Sequence, residues 1–233
     1  MSDHSSNWAP GTFFNFHAEG PVESYENFKL GMWMFLATEV LLFGGIFAAY
    51  FIFKWRYPDV FIPGAEQLDW VMGATNTAIL LASSFTMALA VDAAQRGQQK
   101  KLKLTLILTL VGAAGFLVVK YFEYGAKYGH GWFLPVGDSL DGLFSLYFSI
   151  TGGDLSTVPV EKKVDVFFSV YYMATMLHLL HVLIGASFII LVLFRATKGR
   201  YHEENFGGVE VCGLYWHLVD IIWIFLFPLL YLI

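Results

Sequence analysis

The sequence is poor in cysteine and in charged side chains. Cys212 is the one cysteine among 233 residues, so the chain forms no intrachain disulfide and contains no Cys-x-x-Cys metal or redox motif. Only 14% of its residues are charged, compared with about a quarter in soluble domains. The net charge is −5 and no basic stripe is present, which excludes the surface that nucleic acid requires. These shortages indicate a membrane protein.

The N-terminus also lacks the features of a cleavable signal peptide. No basic segment leads into an apolar stretch there, so insertion into a membrane depends on the first spanning helix itself. Four helix-breaking residues interrupt this region, namely Pro10, Gly11, Gly20 and Pro21. We therefore predict that residues 1–29 form a polar arm outside the membrane.

The apolar residues, 57% of the chain, are gathered in five long runs. A helix needs about 20 predominantly apolar residues to cross the hydrocarbon core of a bilayer. The runs occupy residues 30–53, 70–94, 102–124, 166–195 and 210–232. We predict an all-α fold, a polytopic five-helix bundle within a membrane domain of residues 30–233. One long connection, residues 125–165, joins the third run to the fourth.

Basic residues in the short connections predict the orientation of the bundle. Such residues are retained on the cytoplasmic side of a membrane. Most of them fall on the side of the N-terminal arm: Lys29, Arg96, Lys100, Lys101, Lys103, Arg195, Lys198 and Arg200. We therefore predict that the N-terminus is inside, and that the C-terminus and the long connection are outside.

One ionisable residue, Glu39, lies within the first run, where a carboxylate is costly unless it has partners. At a rise of about 1.5 Å per residue, three polar residues of the fourth and fifth runs reach a similar depth. His178 and His181 are three positions apart, as are His217 and Asp220, so each pair shares a helix face. We predict a buried polar cluster of Glu39, His181, His217 and Asp220, with His178 as a secondary member.

This cluster is consistent with a metal site, a proton relay or a packing network. Metal sites between helices use repeated Glu-x-x-His motifs, and the sequence has none. His181 and His217 are the candidate axial ligands if the chain binds a haem. We interpret the cluster as a hydrogen-bonded network that influences protons. The alternatives are a small haem- or metal-binding membrane enzyme and a transporter, but a transporter predicts inverted repeats that we do not find.

Two further charged residues lie near the ends of runs. We interpret Glu123, at the end of the third run, as a carboxylate that reaches the headgroup region. Arg195, at the end of the run that carries the paired histidines, has two interpretations. It either binds a lipid phosphate or acts as a simple positive anchor on the inner side.

Each of the five runs contains a recognisable motif. In chain order these are FLATEVLLFGGIFAAYF, NTAILLASS, KYFEYGAKYGHGW, ATMLHLLHVLIGASFIILVLFR and LYWHLVDIIWIFLFPLLYLI. Together they resemble subunit III of the haem-copper oxidases, the cytochrome c oxidase type. The chain is similar to the five-helix bacterial form, which lacks two of the family's seven helices.

The resemblance implies a non-catalytic core subunit that packs on subunit I, with subunit II in the same complex. It implies that the haems and copper belong to those partner subunits and that this chain has no metal site of its own. Residue by residue, it implies that Glu39 is a buried carboxylate close to His181, and that Arg195 contacts phospholipid. It also implies that the chain supports proton uptake and protects the active site from damage during turnover.

From this resemblance we expect a multi-pass protein of the bacterial plasma membrane. Its complex would be a proton-pumping terminal oxidase that reduces dioxygen to water. Subunit III of a quinol oxidase and an accessory subunit of a nitric oxide reductase are the alternatives within the family. We also expect the long outer connection to contact another respiratory-chain protein.

Overall fold

The computed structural model describes residues 21–56, 58–129, 160–201 and 205–232. Within these ranges the chain forms helices α1 (Pro21–Arg56), α2 (Pro58–Ala65), α3 (Trp70–Gln95), α4 (Gln99–Gly129), α5 (Val160–Thr197) and α6 (Gly207–Tyr231). All of these except the short α2 are long and apolar enough to cross a membrane. The predicted all-α architecture with five spanning helices is therefore confirmed.

The helices extend beyond the predicted boundaries. Helix α1 begins at Pro21, so the expectation that this proline breaks helical structure is wrong. Proline suits the first turn of a helix, because the N–H that it lacks would have no partner there. Helix α4 continues to Gly129 and α5 begins at Val160, so both enter the predicted long connection. The rest of that connection, and residues 1–20 of the predicted arm, lie outside the described residues.

The spanning helices alternate in direction, and we name the two ends of the bundle after Arg195 and Tyr231. Helices α1, α4 and α6 run from the Arg195 end to the Tyr231 end. Helices α3 and α5 run in the opposite direction. The tight turn between α3 and α4 places Gly97 at a φ of 64°, which glycine adopts without steric cost. That the Arg195 end faces the cytoplasm stays a prediction.

Close backbone contacts hold the four helices α3 to α6 together. A Cβ atom at Gly112 would lie 2.7 Å from the Cβ of Ser83, and one at Gly185 would lie 2.9 Å from the Trp216 ring. Small residues allow membrane helices to approach in this way. The core between these helices contains the fully buried rings of Phe116, Trp216 and Trp223.

Helix α1 lies at the edge of this group and most of its surface is exposed. Its buried face consists of Leu36, Phe43, Ile46, Tyr50 and Phe53. Within the described part of the chain, three polar contacts connect it to α5 and α6. These are Lys29 Nζ to Glu210 Oε1 at 2.7 Å, His181 Nε2 to Glu39 Oε2 at 2.8 Å, and the Tyr50 hydroxyl to the Leu229 carbonyl.

Candidate functional site

The carboxylate of Glu39 contacts the imidazole of His181 across the interface of α1 and α5. The distance from Glu39 Oε2 to His181 Nε2 is 2.8 Å, and the two side chains are 13% and 9% exposed. The other imidazole nitrogen, Nδ1, lies 2.7 Å from the carbonyl oxygen of Leu177 in the preceding turn. The edge of the Phe43 ring packs on the imidazole with 5.2 Å between centroids. The structure thus brings Glu39 and His181 together.

This geometry fixes the number of protons that the pair holds. The Leu177 carbonyl can only accept a hydrogen bond, so Nδ1 of His181 carries a proton. The bond between Nε2 and the Glu39 carboxylate needs one more proton, which resides on either atom. The pair is therefore either imidazolium with carboxylate or imidazole with carboxylic acid. In both forms it is electrically neutral, as residues within a membrane require.

The structure places His217 and Asp220 on a different interface from Glu39. His217 Nδ1 lies 2.7 Å from the Ser84 hydroxyl oxygen, so this imidazole faces α3. Asp220 is 2% exposed, and its carboxyl group interacts with the same Ser84 hydroxyl. No hydrogen bond in the described ranges joins either residue to Glu39 or His181. The predicted cluster of four is therefore divided between two helix interfaces.

His178 lies in an aromatic environment deeper in the bundle. It is fully buried, with the Phe116 ring at 5.5 Å and the Trp223 ring at 5.0 Å between centroids. Neither ring nitrogen has a hydrogen-bond partner among the described residues. His178 and His181 share a helix face but lie in different environments. His178 is surrounded by aromatic rings, and His181 contacts the Glu39 carboxylate.

Sequence reasoning did not predict a buried polar group that the described residues form near the Tyr231 end. Lys120 of α4 is 2% exposed, and its Nζ lies 2.9 Å from Glu123 Oε2 and 2.7 Å from the Tyr231 hydroxyl oxygen. Oε1 of Glu123 accepts hydrogen bonds from the hydroxyls of Tyr171 at 2.7 Å and Tyr231 at 2.6 Å. We call Lys120, Glu123, Tyr171 and Tyr231 the tyrosine–carboxylate cluster. It connects α4, α5 and α6.

The interpretation of Glu123 as a carboxylate that reaches the headgroups is therefore wrong. Its side chain is 2% exposed and pairs with Lys120 one turn earlier on the same helix. The signal was present in the sequence, because Lys120 and Glu123 are opposite charges three positions apart within an apolar run. Such charges share a helix face and pair inside a membrane.

Arg195 lies at the end of α5, exposed to the surroundings together with Lys198 and Arg200. Its guanidinium acts on the nearby Tyr201 in the connection to α6. Burial raises the pKa of the Tyr201 hydroxyl, and the positive charge of Arg195 partly opposes this shift. The structure thus places all three of these exposed cationic side chains at the Arg195 end.

His181 and His217, the candidate axial ligands of a haem, both make hydrogen bonds within the chain. Among the described residues, no three His, Cys, Asp or Glu side chains converge as a metal-binding group. Both nitrogens of His181 make hydrogen bonds within the chain, so neither is directed at a ligand. His217 likewise directs Nδ1 at Ser84.

Comparison with known proteins gives one consistent family. A model of the family described as cytochrome c oxidase subunit III matches residues 10–152 and 143–233. Cytochrome c oxidase subunit 3 of Thermostichus vulcanus is 30% identical over 205 residues, which cover 88% of this chain and 86% of that protein. The corresponding subunit of Synechocystis is 29% identical over 233 residues, covering 100% of this chain and 84% of that protein.

A relative with a different electron donor in its name is equally similar. Quinol oxidase subunit 3 of Bacillus subtilis is 30% identical over 203 residues, which cover 87% of this chain and 85% of that protein. Overall similarity therefore does not separate the two named classes of oxidase.

Proposed function

The chain belongs to the cytochrome c oxidase subunit III family, and from that premise we propose that it is the non-catalytic third subunit of a proton-pumping terminal oxidase. The complex reduces dioxygen to water, and this chain stabilises subunit I and supports proton uptake. The observation that carries the proposal is the Glu39–His181 pair. The pair lies inside the bundle, and its hydrogen bonds use both imidazole nitrogens of His181.

We assign the redox chemistry to the partner subunits. The haems and copper belong to subunits I and II, and this chain packs directly on subunit I in the bacterial plasma membrane. We propose cytochrome c as the electron donor. Quinol is the alternative, because relatives with both names match the chain at similar identity.

We further propose that the Arg195 end binds phospholipid on the cytoplasmic side. The exposed cationic residues Arg195, Lys198 and Arg200 suit the anionic lipid headgroups of that leaflet. The basic residues of the short connections support the same orientation.

Purification of the complex in mild detergent through an affinity tag on this chain tests the proposal. We expect haem-copper subunits I and II to co-purify, with a haem absorption spectrum assigned to subunit I. Recovery of this chain in a complex that lacks subunits I and II would refute the proposal. A haem or stoichiometric metal that stays with this chain after the large subunits are removed would favour the small membrane enzyme instead.

Replacement of Glu39 by alanine is expected to shorten the working life of the oxidase while leaving its initial electron-transfer rate close to that of the wild type. The substitution removes the partner of His181 Nε2 at a 2.8 Å contact, and a buried polar group without a partner costs about 1–3 kcal/mol. Oxygen consumption followed until the activity decays gives both quantities in one experiment.

Glu66 provides the matched control, because its side chain is exposed in the connection between α2 and α3. We expect Glu66→Ala to decay at the wild-type rate. An unchanged lifetime in Glu39→Ala would contradict the role of the pair.

A further inference from the structure

We propose that Tyr171 and Tyr231 are redox-active, and that Glu123 receives the phenolic proton when either tyrosine gives up an electron. The oxidant is a strong one-electron oxidant of the kind that forms during incomplete dioxygen reduction. In that respect the inference rests on the proposed function. It would give this subunit a chemical means of protecting its partner subunits.

The position of the proton acceptor distinguishes these two tyrosines from Tyr50 and Tyr215. Oxidation of tyrosine to a neutral radical requires loss of the phenolic proton, so a base must stand in hydrogen-bond contact. Tyr171 and Tyr231 donate to the same carboxylate oxygen, Glu123 Oε1, at 2.7 and 2.6 Å. A carboxylate can take up that proton.

Two other buried tyrosines, Tyr50 and Tyr215, donate to groups that cannot accept a proton. The Tyr215 hydroxyl donates to the carbonyl of His181 at 3.2 Å, and the Tyr50 hydroxyl donates to the carbonyl of Leu229. A peptide carbonyl accepts hydrogen bonds but is not a base under these conditions. Tyr50 and Tyr215 are both 2% exposed, so they match the proposed pair in burial and differ in the acceptor.

The step balances in atoms and electrons. One electron passes from the phenol of Tyr171 or Tyr231 to the oxidant, which is reduced by one equivalent. The O–H bond breaks, the proton moves along the existing hydrogen bond to Glu123 Oε1, and a neutral tyrosyl radical and a carboxylic acid remain. A one-electron donor, such as reduced cytochrome or quinol, later returns the electron, and the proton moves back from Glu123.

Loss of the electron raises the charge of the cluster from zero to plus one, and Lys120 carries that charge. The surroundings suit a cation even when Glu123 is protonated. The Nζ of Lys120 lies 4.6 Å from the centroid of the Trp223 ring and 5.6 Å from that of Tyr124. Aromatic faces attract cations, more strongly when both are shielded from water.

Neighbouring rings provide a path for the electron between α5, α6 and α4. The centroids are separated by 6.4 Å between Trp223 and Tyr231, 6.2 Å between Tyr231 and Tyr171, and 5.1 Å between Tyr171 and Tyr172. From Tyr172 the Tyr124 ring is 5.7 Å away. The redox-active pair therefore lies within a series of contacting oxidisable side chains.

Electron paramagnetic resonance on the purified complex tests this proposal. Flash-oxidised ruthenium tris-bipyridine, with persulfate as electron acceptor, supplies the oxidising equivalent without any oxidase turnover. Tyr171→Phe and Tyr231→Phe retain the rings and remove one hydroxyl each. We expect each to lose part of the tyrosyl signal, identified by its narrowing when ring-deuterated tyrosine is incorporated. We expect Glu123→Gln, which keeps an acceptor but is not a base, to lower the radical yield.

Tyr215→Phe and Tyr50→Phe are the controls, and both should retain the wild-type signal. Equal signals in all variants would overturn the proposal, as would a larger loss in the controls than in Tyr171→Phe and Tyr231→Phe. If Glu123→Gln does not assemble, these four phenylalanine variants still decide the question.

A second arm separates this inference from the proposed function. Hydrogen peroxide added to the oxidised complex generates the oxidant at the haem-copper centre of subunit I. Loss of the same signal component in Tyr171→Phe supports the link between that centre and the cluster. A component seen with the ruthenium oxidant but absent with peroxide overturns that link, although the tyrosines would remain redox-active.

Discussion

Replacement of Lys120 by methionine is expected to destabilise the protein by about 3–5 kcal/mol, because it removes the cation that lies beside the buried carboxylate of Glu123. Lys120 and Glu123 are each 2% exposed and lie 2.9 Å apart. Methionine has a similar length, so the substitution removes the charge with little change in packing. Thermal denaturation of the purified complex, followed by the loss of recoverable chain, measures the effect.

The double variant Lys120→Met, Glu123→Gln tests whether stability is lost because the ion pair is broken or because a charged side chain is removed. Glu123→Gln alone removes the carboxylate that lies 2.9 Å from the Lys120 ammonium, so we expect a loss similar to that of Lys120→Met. The double variant replaces both charged members of the pair and should be less destabilised than either single variant, since replacement of a whole buried pair is often tolerated. Additive losses would show that the two charges do not depend on each other.

The exposed pair of Lys101 and Asp92 serves as the control. Its side chains are 44% and 35% exposed and 3.4 Å apart. Exposed pairs contribute about 0–1 kcal/mol, so Lys101→Met should denature at nearly the wild-type temperature.

Replacement of Trp223 by alanine is expected to cost about 3–5 kcal/mol, the range found for truncation of large buried aromatic side chains. Trp223 is fully buried, and its indole N–H donates to the Thr77 hydroxyl at 3.1 Å. Its ring packs on His178 at 5.0 Å and lies 4.6 Å from Lys120 Nζ. Truncation therefore leaves a cavity and removes the aromatic face next to a buried cation.

Trp55 provides the matched control for this truncation, because its side chain is 87% exposed at the end of α1. Trp55→Ala should change the thermal denaturation temperature of the complex far less than Trp223→Ala does. Trp223→Phe, which fills part of the cavity, should fall between alanine and the wild type. Equal effects at positions 55 and 223 would contradict the assignment of Trp223 to the core.

The five spanning helices were predictable because length and apolarity alone decide whether a segment can cross a bilayer. Their ends were harder to predict, since Pro21 disrupts a helix interior but suits a first turn. Residues 130–159 of the long connection lie outside the described ranges, and the proposed contact there stays a prediction.

Counting the rise along each helix gives the depth of a residue but not the direction in which it faces. Depth alone placed Glu39, His181, His217 and Asp220 at similar levels. The structure brings the first two within 2.8 Å and directs His217 towards Ser84 of α3. The direction depends on which helices are neighbours, and one sequence does not specify that arrangement.

The tyrosine–carboxylate cluster shows a second limit of the sequence. Lys120 and Glu123 are close in the chain, but Tyr171 and Tyr231 are 48 and 108 positions from Glu123. Nothing in the local pattern of α4 indicates that two phenols from α5 and α6 meet its carboxylate. Tyrosines near the ends of membrane helices are common at the interface, so their presence alone did not predict a buried network.

The three polar contacts of α1 have a consequence for biosynthesis. Each partner lies far downstream: His181 is 142 positions after Glu39, Leu229 is 179 after Tyr50, and Glu210 is 181 after Lys29. At about 5–20 residues per second, the ribosome needs roughly 7–30 s after making Glu39 to produce its imidazole partner. During that interval the carboxyl group of Glu39 does not yet have its imidazole partner. The first helix must therefore stay in the translocon, contact an insertion factor, or carry Glu39 as the neutral acid.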